Sequence, residues 1–328
     1  MKPEKPERTV GLKSIQSARE DRGRGKYSRM TPNVMLVALV GVVGVLIAYW
    51  FFSQRSLAEQ KSNLLAKQHA AVATVGAEWF PMRDKIEGIV LDSAKSFPDQ
   101  DFIAPDHFDF RAMPGIYLRL RVAEARDVAS VRSAAQNSVK DAVCGCLLKE
   151  PNPSALRGDA DAGGAPEQPW NMRQAYASTR ILTDEWANEV RDSSDDLRLR
   201  VFQQQYDQAV NGEIAQSIDI IKRARFFLLV LDEDEPEAKT KADGGAITEE
   251  ILQTVEHESR VRIVDTQTWK DIAVLRRTGV GDLVQVGENH GPVDSESRDS
   301  TSRQVKNCSL GMQVSRALGF DKDRAPPQ

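Results

Sequence analysis

The residues that could do chemistry in this chain stand in a few short clusters. Asp232, Glu233, Asp234 and Glu235 follow directly on the apolar run FFLLVL. Carboxylates at the carboxyl end of a buried strand are where many α/β enzymes hold a metal or a phosphate. Asp232 and Asp234 are therefore the candidate acidic site, set against the plainer alternative of a solvated loop, because the sequence stays polar through DEDEPEAKTKADGG. The thiols form the second cluster. Cys144, Cys146 and Cys308 are candidates for a disulfide in an oxidising compartment. A bond between Cys144 and Cys146 would close a very tight ring, so pairing of one of them with Cys308 is preferred. Three unbonded core cysteines are the alternative.

The remaining motifs are weaker. Gly158-Asp159-Ala160-Asp161 imitates the start of a calcium loop, but the twelfth position from Asp159 is Trp170, where an EF-hand requires Glu. Arg157-Gly158-Asp159 spells an adhesion tripeptide inside a Gly/Ala/Asp-rich stretch that produces it by chance. Asp101, Asp106, His107 and Asp109 crowd a proline-rich segment and read first as a solvated loop. His69, His107, His257 and His290 lack metal-ligand spacing, and His257-Glu258 has no second His one helical turn on. No nucleophile elbow, phosphate loop or dinucleotide fingerprint occurs. No catalytic residue, metal ligand or cofactor-binding residue is assigned, no cofactor is expected, and an enzyme is the less favoured class.

The elements around these residues begin with the clearest signal in the sequence. Val34 to Phe52 reads VMLVALVGVVGVLIAYWFF without a charge. At about 1.5 Å per residue, such a helix spans a hydrocarbon core roughly 30 Å thick. Tyr49, Trp50, Phe51 and Phe52 close it with rings suited to the headgroup interface. Arg19, Arg22, Arg24, Lys26 and Arg29 precede it, whereas only Arg55, Lys61 and Lys67 follow in a comparable window. This bias places the N-terminus in the cytoplasm and predicts an uncleaved signal anchor, since the aromatic cluster replaces a small-residue cleavage site. Gly41, Gly44 and Ala48 offer small residues on which two spans could approach, so a homodimer is a candidate assembly.

The net charge of −4 conceals an uneven distribution: residues 1–33 hold nine Lys/Arg against four Asp/Glu, and the remainder is acidic. No large basic surface is left for nucleic acid. The chain is 41% hydrophobic and 28% charged, which excludes collagen-like and polytopic membrane classes. Residues 1–33 read as a basic disordered cytoplasmic tail, 34–52 as the span, and 53–96 as a helical stalk, a coiled coil in one reading, that Pro81 interrupts. Residues 97–320 read as the extracytoplasmic domain with a mobile insertion at 151–169, and 321–328 as a disordered tail.

Within the domain, GIYLRLRV at 115–122 alternates like a half-buried strand, 127–148, 171–191 and 195–224 are helical, and 261–277 reads as a hairpin. Ser193 or Ser194 is expected to cap the helix at 195, and a last helix is expected near Arg303 to Leu318. The expected fold class is α+β, a helix-rich domain with a small, mostly antiparallel sheet. The expected function is that of a single-pass plasma (inner) membrane protein, a cell-envelope binding or scaffold protein whose domain lies in the periplasm. Its expected partners are the lipid bilayer and a protein of the envelope. The alternatives are an anchored envelope enzyme with an unsignposted site and an accessory sensor acting through a partner's transmembrane helix.

Overall fold

The computed structural model describes residues 32–105, 110, 113–138, 142–148, 169–242, 245–281 and 295–319. The tails 1–31 and 321–328, and the insertion over 151–168, lie outside the described residues. The described chain divides into two units, one ending at Ser62 and one beginning at Asn63.

In the first unit the apolar run is helical as part of α1 (Pro32–Ala71). Its described apolar side chains, from Leu36 to Trp50, are all exposed, at 46–69%. Among the described residues no helix is long and apolar enough to cross a membrane.

The second unit is an α+β domain on a mixed six-stranded sheet, in the order β1-β6-β5-β4-β2-β3. The strands are β1 (Phe102–Ile103), β2 (Gly115–Arg121), β3 (Trp170–Asn171), β4 (Phe226–Asp232), β5 (Glu258–Asp265) and β6 (Asp271–Thr278). β2 runs parallel to β3 and β4, while β4, β5, β6 and β1 are antiparallel in turn. The sheet is therefore mixed rather than simply antiparallel. The hairpin read at 261–277 is β5–β6, whose turn holds Trp269 at φ 57°. The outer edge of β6 is closed by side chains as well as by β1: Asp101 accepts from the Arg276 amide and Gln313 donates to the Thr278 carbonyl. Such closure denies the edge to a foreign strand.

Two helical layers cover the sheet. On one face lie α4 (Val143–Leu148) and α11 (Ser295–Ala317), whose Val143, Leu147, Leu310 and Val314 pack on Tyr117, Leu228, Val230, Val261 and Ile263. The two helices approach backbone to backbone at Gly311, where a Cβ would collide with the Val143 carbonyl oxygen. Toward the other face pack the end of α1, α2 (Ala77–Lys95), α3 (Val128–Asn137), α5 (Arg173–Thr179), α6 (Asp184–Asp192), α7 (Asp196–Gln208) and α8 (Ile214–Arg223). Their core includes Leu64, Trp79, Ile86, Tyr176, Trp186 and Ile218, all buried. From Asn63 onward the predicted stalk is thus part of the domain.

Several local expectations change for identifiable reasons. Pro81 does not end its helix: a widened turn at Val72–Gly76 precedes it, and the Thr74 hydroxyl donates to the Ala70 and Ala71 carbonyls there. A second widened turn, Ala209–Glu213, contains Gly212. The helix read at 171–191 is broken before Thr183, whose hydroxyl caps α6. The cap of α7 is Asp195, not a serine, and it accepts from the Leu197 amide. The helix read at 127–148 is two helices, α3 and α4, and α11 begins eight residues before the expected Arg303.

Candidate functional site

Arg119 reads as the exposed alternate of a half-buried strand, yet its side chain is 1% exposed. The reason lies in the second layer: β2 is an interior strand, so the face carrying Tyr117 and Arg119 is roofed by α4 and α11. A buried guanidinium requires compensation, and here Asp232, Asn307 and Glu249 supply it from three separate parts of the chain.

Arg119 Nε donates to Asp232 Oδ2 at 2.6 Å, and Nη1 donates to Asn307 Oδ1 of α11 at 2.8 Å. The other oxygen of Asp232 accepts from Ser259 Oγ at 2.6 Å and lies 3.2 Å from His257 Nε2. The Nδ1 atom of the same ring meets the Val255 carbonyl at 3.0 Å. Asn307 Nδ2 donates to Gln253 Oε1, and Gln253 Nε2 donates to Glu249 Oε1. Gln253 follows and Glu249 opens the short helix α10 (Glu249–Leu252), which with α9 (Pro236–Lys241) lies in the connection between β4 and β5. The Ser138 hydroxyl donates to the Arg119 carbonyl from the end of α3.

The electrostatics are uneven. Burial alone would raise the Asp232 carboxyl, but the Arg119 guanidinium, joined by the His257 ring, holds it well below the usual carboxylate range. Glu249 is driven the opposite way: burial first, and the Asp232 charge second, push it well above its ordinary value against the pull of Arg119. Arg119 and Glu249 also line a cleft of about 560 Å³, together with Ala123, Glu124, Ser130, Ser133 and Asn137 among others. The cleft runs between the end of β2 and α3.

Asp232, His257 and Ser259 are the residue types of a hydrolase triad, but their wiring differs. In a triad the serine proton passes to histidine and the acid orients the ring. Here Asp232 accepts the serine proton itself and also faces the ring, and none of the three exceeds 3% exposure. The arrangement braces strand ends, and of the wider cluster Arg119 and Glu249 reach the cleft.

The other sequence candidates fall in different places. Asp234 lies outside this cluster, 3.4 Å from Arg121 Nε and partly exposed. Glu233 turns to the opposite face, where it meets Arg260 at 2.7 Å and Arg276 at 3.1 Å. There Arg260 and Arg276 stand directly opposite across β5 and β6, and Arg262 bridges Asp92 and Asp271. This half-exposed ladder ties the sheet to the C-terminal end of α2, because Arg260 Nη1 also donates to the Ser93 and Ala94 carbonyls. Cys146 and Cys308 form a disulfide with Cα atoms 5.1 Å apart, and Cys144 is half-buried and outside that bond. Asp101 pairs with Arg277, while Asp106, His107 and Asp109 lie outside the described residues. Gly41, Gly44 and Ala48 lie on the exposed helix of the first unit, with open space around both glycines. Among the described residues no group of three or more His, Cys, Asp or Glu is placed to hold a metal.

Arg119, Glu249, His257 and Asn307 were not singled out as partners by the sequence. Only Asp232 carried a signal, its position at the end of an unbroken apolar strand. No family profile, curated protein or solved structure matches the chain.

Proposed function

We propose that the protein is a single-pass membrane protein with a cytoplasmic N-terminus and an extracytoplasmic α+β domain that binds or scaffolds a partner in the cell envelope. The observation that carries this reading is the run of described apolar side chains from Leu36 to Trp50, all exposed on one helix. An apolar surface of that extent, continuous along one helix, is accounted for by lipid. The Lys/Arg bias before the span supports the orientation, and the Cys146–Cys308 pairing suits an oxidising space. Gly41, Gly44 and Ala48 are the face on which two such helices would pair.

Binding is favoured over catalysis because the acid, imidazole and hydroxyl of the cluster are spent on one another beneath the surface. The cleft beside Arg119 and Glu249 is the site at which a small polar ligand would enter. Alkaline carbonate extraction of native membranes, followed by non-reducing peptide mapping, tests the anchored reading. The chain is expected in the membrane pellet with Cys146 linked to Cys308 and Cys144 outside that link. Recovery in the soluble fraction would overturn it.

A further inference from the structure

β4 and β5 are adjacent antiparallel strands, yet the chain inserts residues 233–257 between them. This excursion has a small core of its own, Ala238, Leu252 and Val255 with Ile247 and Ile251 against them. Much of its attachment to the rest of the domain is polar. Arg121 donates to the Ile247 carbonyl, Asn307 donates to Gln253, and Lys241 pairs with Asp299 at 2.8 Å.

The tether at Glu249 is of a different kind. Glu249 Oε1 lies 3.4 Å from the same Arg119 Nε that binds Asp232 Oδ2 at 2.6 Å. Both carboxyl groups therefore crowd the same Nε, while Arg119 Nη1 donates to Asn307. Glu249 Oε2 is buried and has no donor. Two ionised carboxylates on one guanidinium N–H, away from water, repel each other, and a proton on one of them removes the conflict.

We propose that residues 236–242 and 245–257 form a lid over the Arg119 cluster, latched by a proton on Glu249. The proton departs to water or hydroxide with no other covalent change, leaving Glu249 and Asp232 both negative; the lid then lifts to hydrate Glu249. Burial and the Asp232 charge hold the Glu249 carboxyl well above its ordinary range, so the latch is closed on the acid side and opens as pH rises through that raised value.

The charged and titratable groups around the latch are Arg119 from β2, Asp232 from β4 and His257 from the approach to β5. Glu124 and Arg126 line the adjoining cleft, and α11 contributes the neutral amide of Asn307. Lifting the lid would widen the cleft at its Arg119 end, and in that respect the inference builds on the binding reading. Its test uses no ligand and no membrane topology, so the two can fail separately.

The test is hydrogen–deuterium exchange of the full chain in nanodiscs at pH 6 and pH 9, corrected for intrinsic rates. In the wild type, protection of 245–257 relative to β4 is expected to fall by about tenfold or more, the effect of one pKa unit of linkage or above. Glu249→Gln, which keeps the acceptor oxygen and cannot ionise, should remove that fall. His257→Gln should retain it. No fall in the wild type, an equal fall in Glu249→Gln, or its loss in His257→Gln would each overturn the proposal.

Discussion

One helix, α1, meets two environments. From Leu36 to Trp50 its described apolar side chains are open, whereas Leu64 and Ala71 are at 1% and 7% exposure, and Trp79 in the helix that follows is at 1%. Secondary structure does not separate the two stretches, since both are helical. Partner surface does: downstream, Tyr206 donates to the Lys67 carbonyl and Trp79 stacks edge-on against Tyr176 at 5.7 Å. The sequence distinguishes them by period, continuous above and at helical spacing below. A continuous apolar run seeks an apolar solvent, and a periodic one seeks a protein face.

The largest expected effect breaks the upstream half alone. Val42→Arg with Leu46→Arg places two charges in the run, each costing about 2.5–3.5 kcal/mol at a span centre on the insertion scale. Most of the chain should leave the carbonate-resistant pellet, while the thermal midpoint of the domain in detergent stays where it was. A coincident loss of stability would mean that the run packs on protein after all.

Downstream the same comparison is sharpened by Trp79→Ala, expected to cost about 3–5 kcal/mol in urea denaturation without altering membrane retention. Arg119→Met should cost a similar amount, about 3–5 kcal/mol, because it leaves Asp232 buried without its cation. Adding Asp232→Leu to that variant should recover a large part of the loss.

The pH dependence has two arms of opposite sign. Asp232, held low, contributes stability that is present above the usual carboxylate range and is lost as pH falls through its depressed value. Glu249, held high, contributes stability that is lost as pH rises from the usual range through its raised value. Urea midpoints of Glu249→Gln should therefore decline less than wild type between neutral and alkaline pH; equal decline would place the titration elsewhere.

The smallest effects belong to the more exposed ion pairs, where Asp92→Asn or Asp101→Asn should cost about 1 kcal/mol or less. High salt should shrink those differences and leave the Arg119 effect nearly intact.

What the sequence disclosed follows from the same distinction between local and distant causes. The β5–β6 hairpin and the buried strand β4 rest on neighbouring residues and were legible. β1 and β3, two residues each, are too short for any period to show. Arg119 was misread as a solvent-facing alternate because strand alternation says nothing of a roof supplied by α11. Its partners lie 113 and 188 residues away at Asp232 and Asn307, separations that no motif spacing covers. Asp232 was legible as a position and not as a role: the same end-of-strand acid serves a metal site or an ion-paired brace, and Arg119 decides which. Pro81 was over-read, since a widened turn upstream absorbs it.

Orientation is the claim on which the functional account stands. A reporter enzyme that folds only outside the cytoplasm, fused in turn to the C-terminus and to the N-terminus of the full chain, tests it directly. The account predicts activity from the C-terminal fusion and none from the N-terminal one. Activity from the N-terminal fusion with a silent C-terminal one would contradict it.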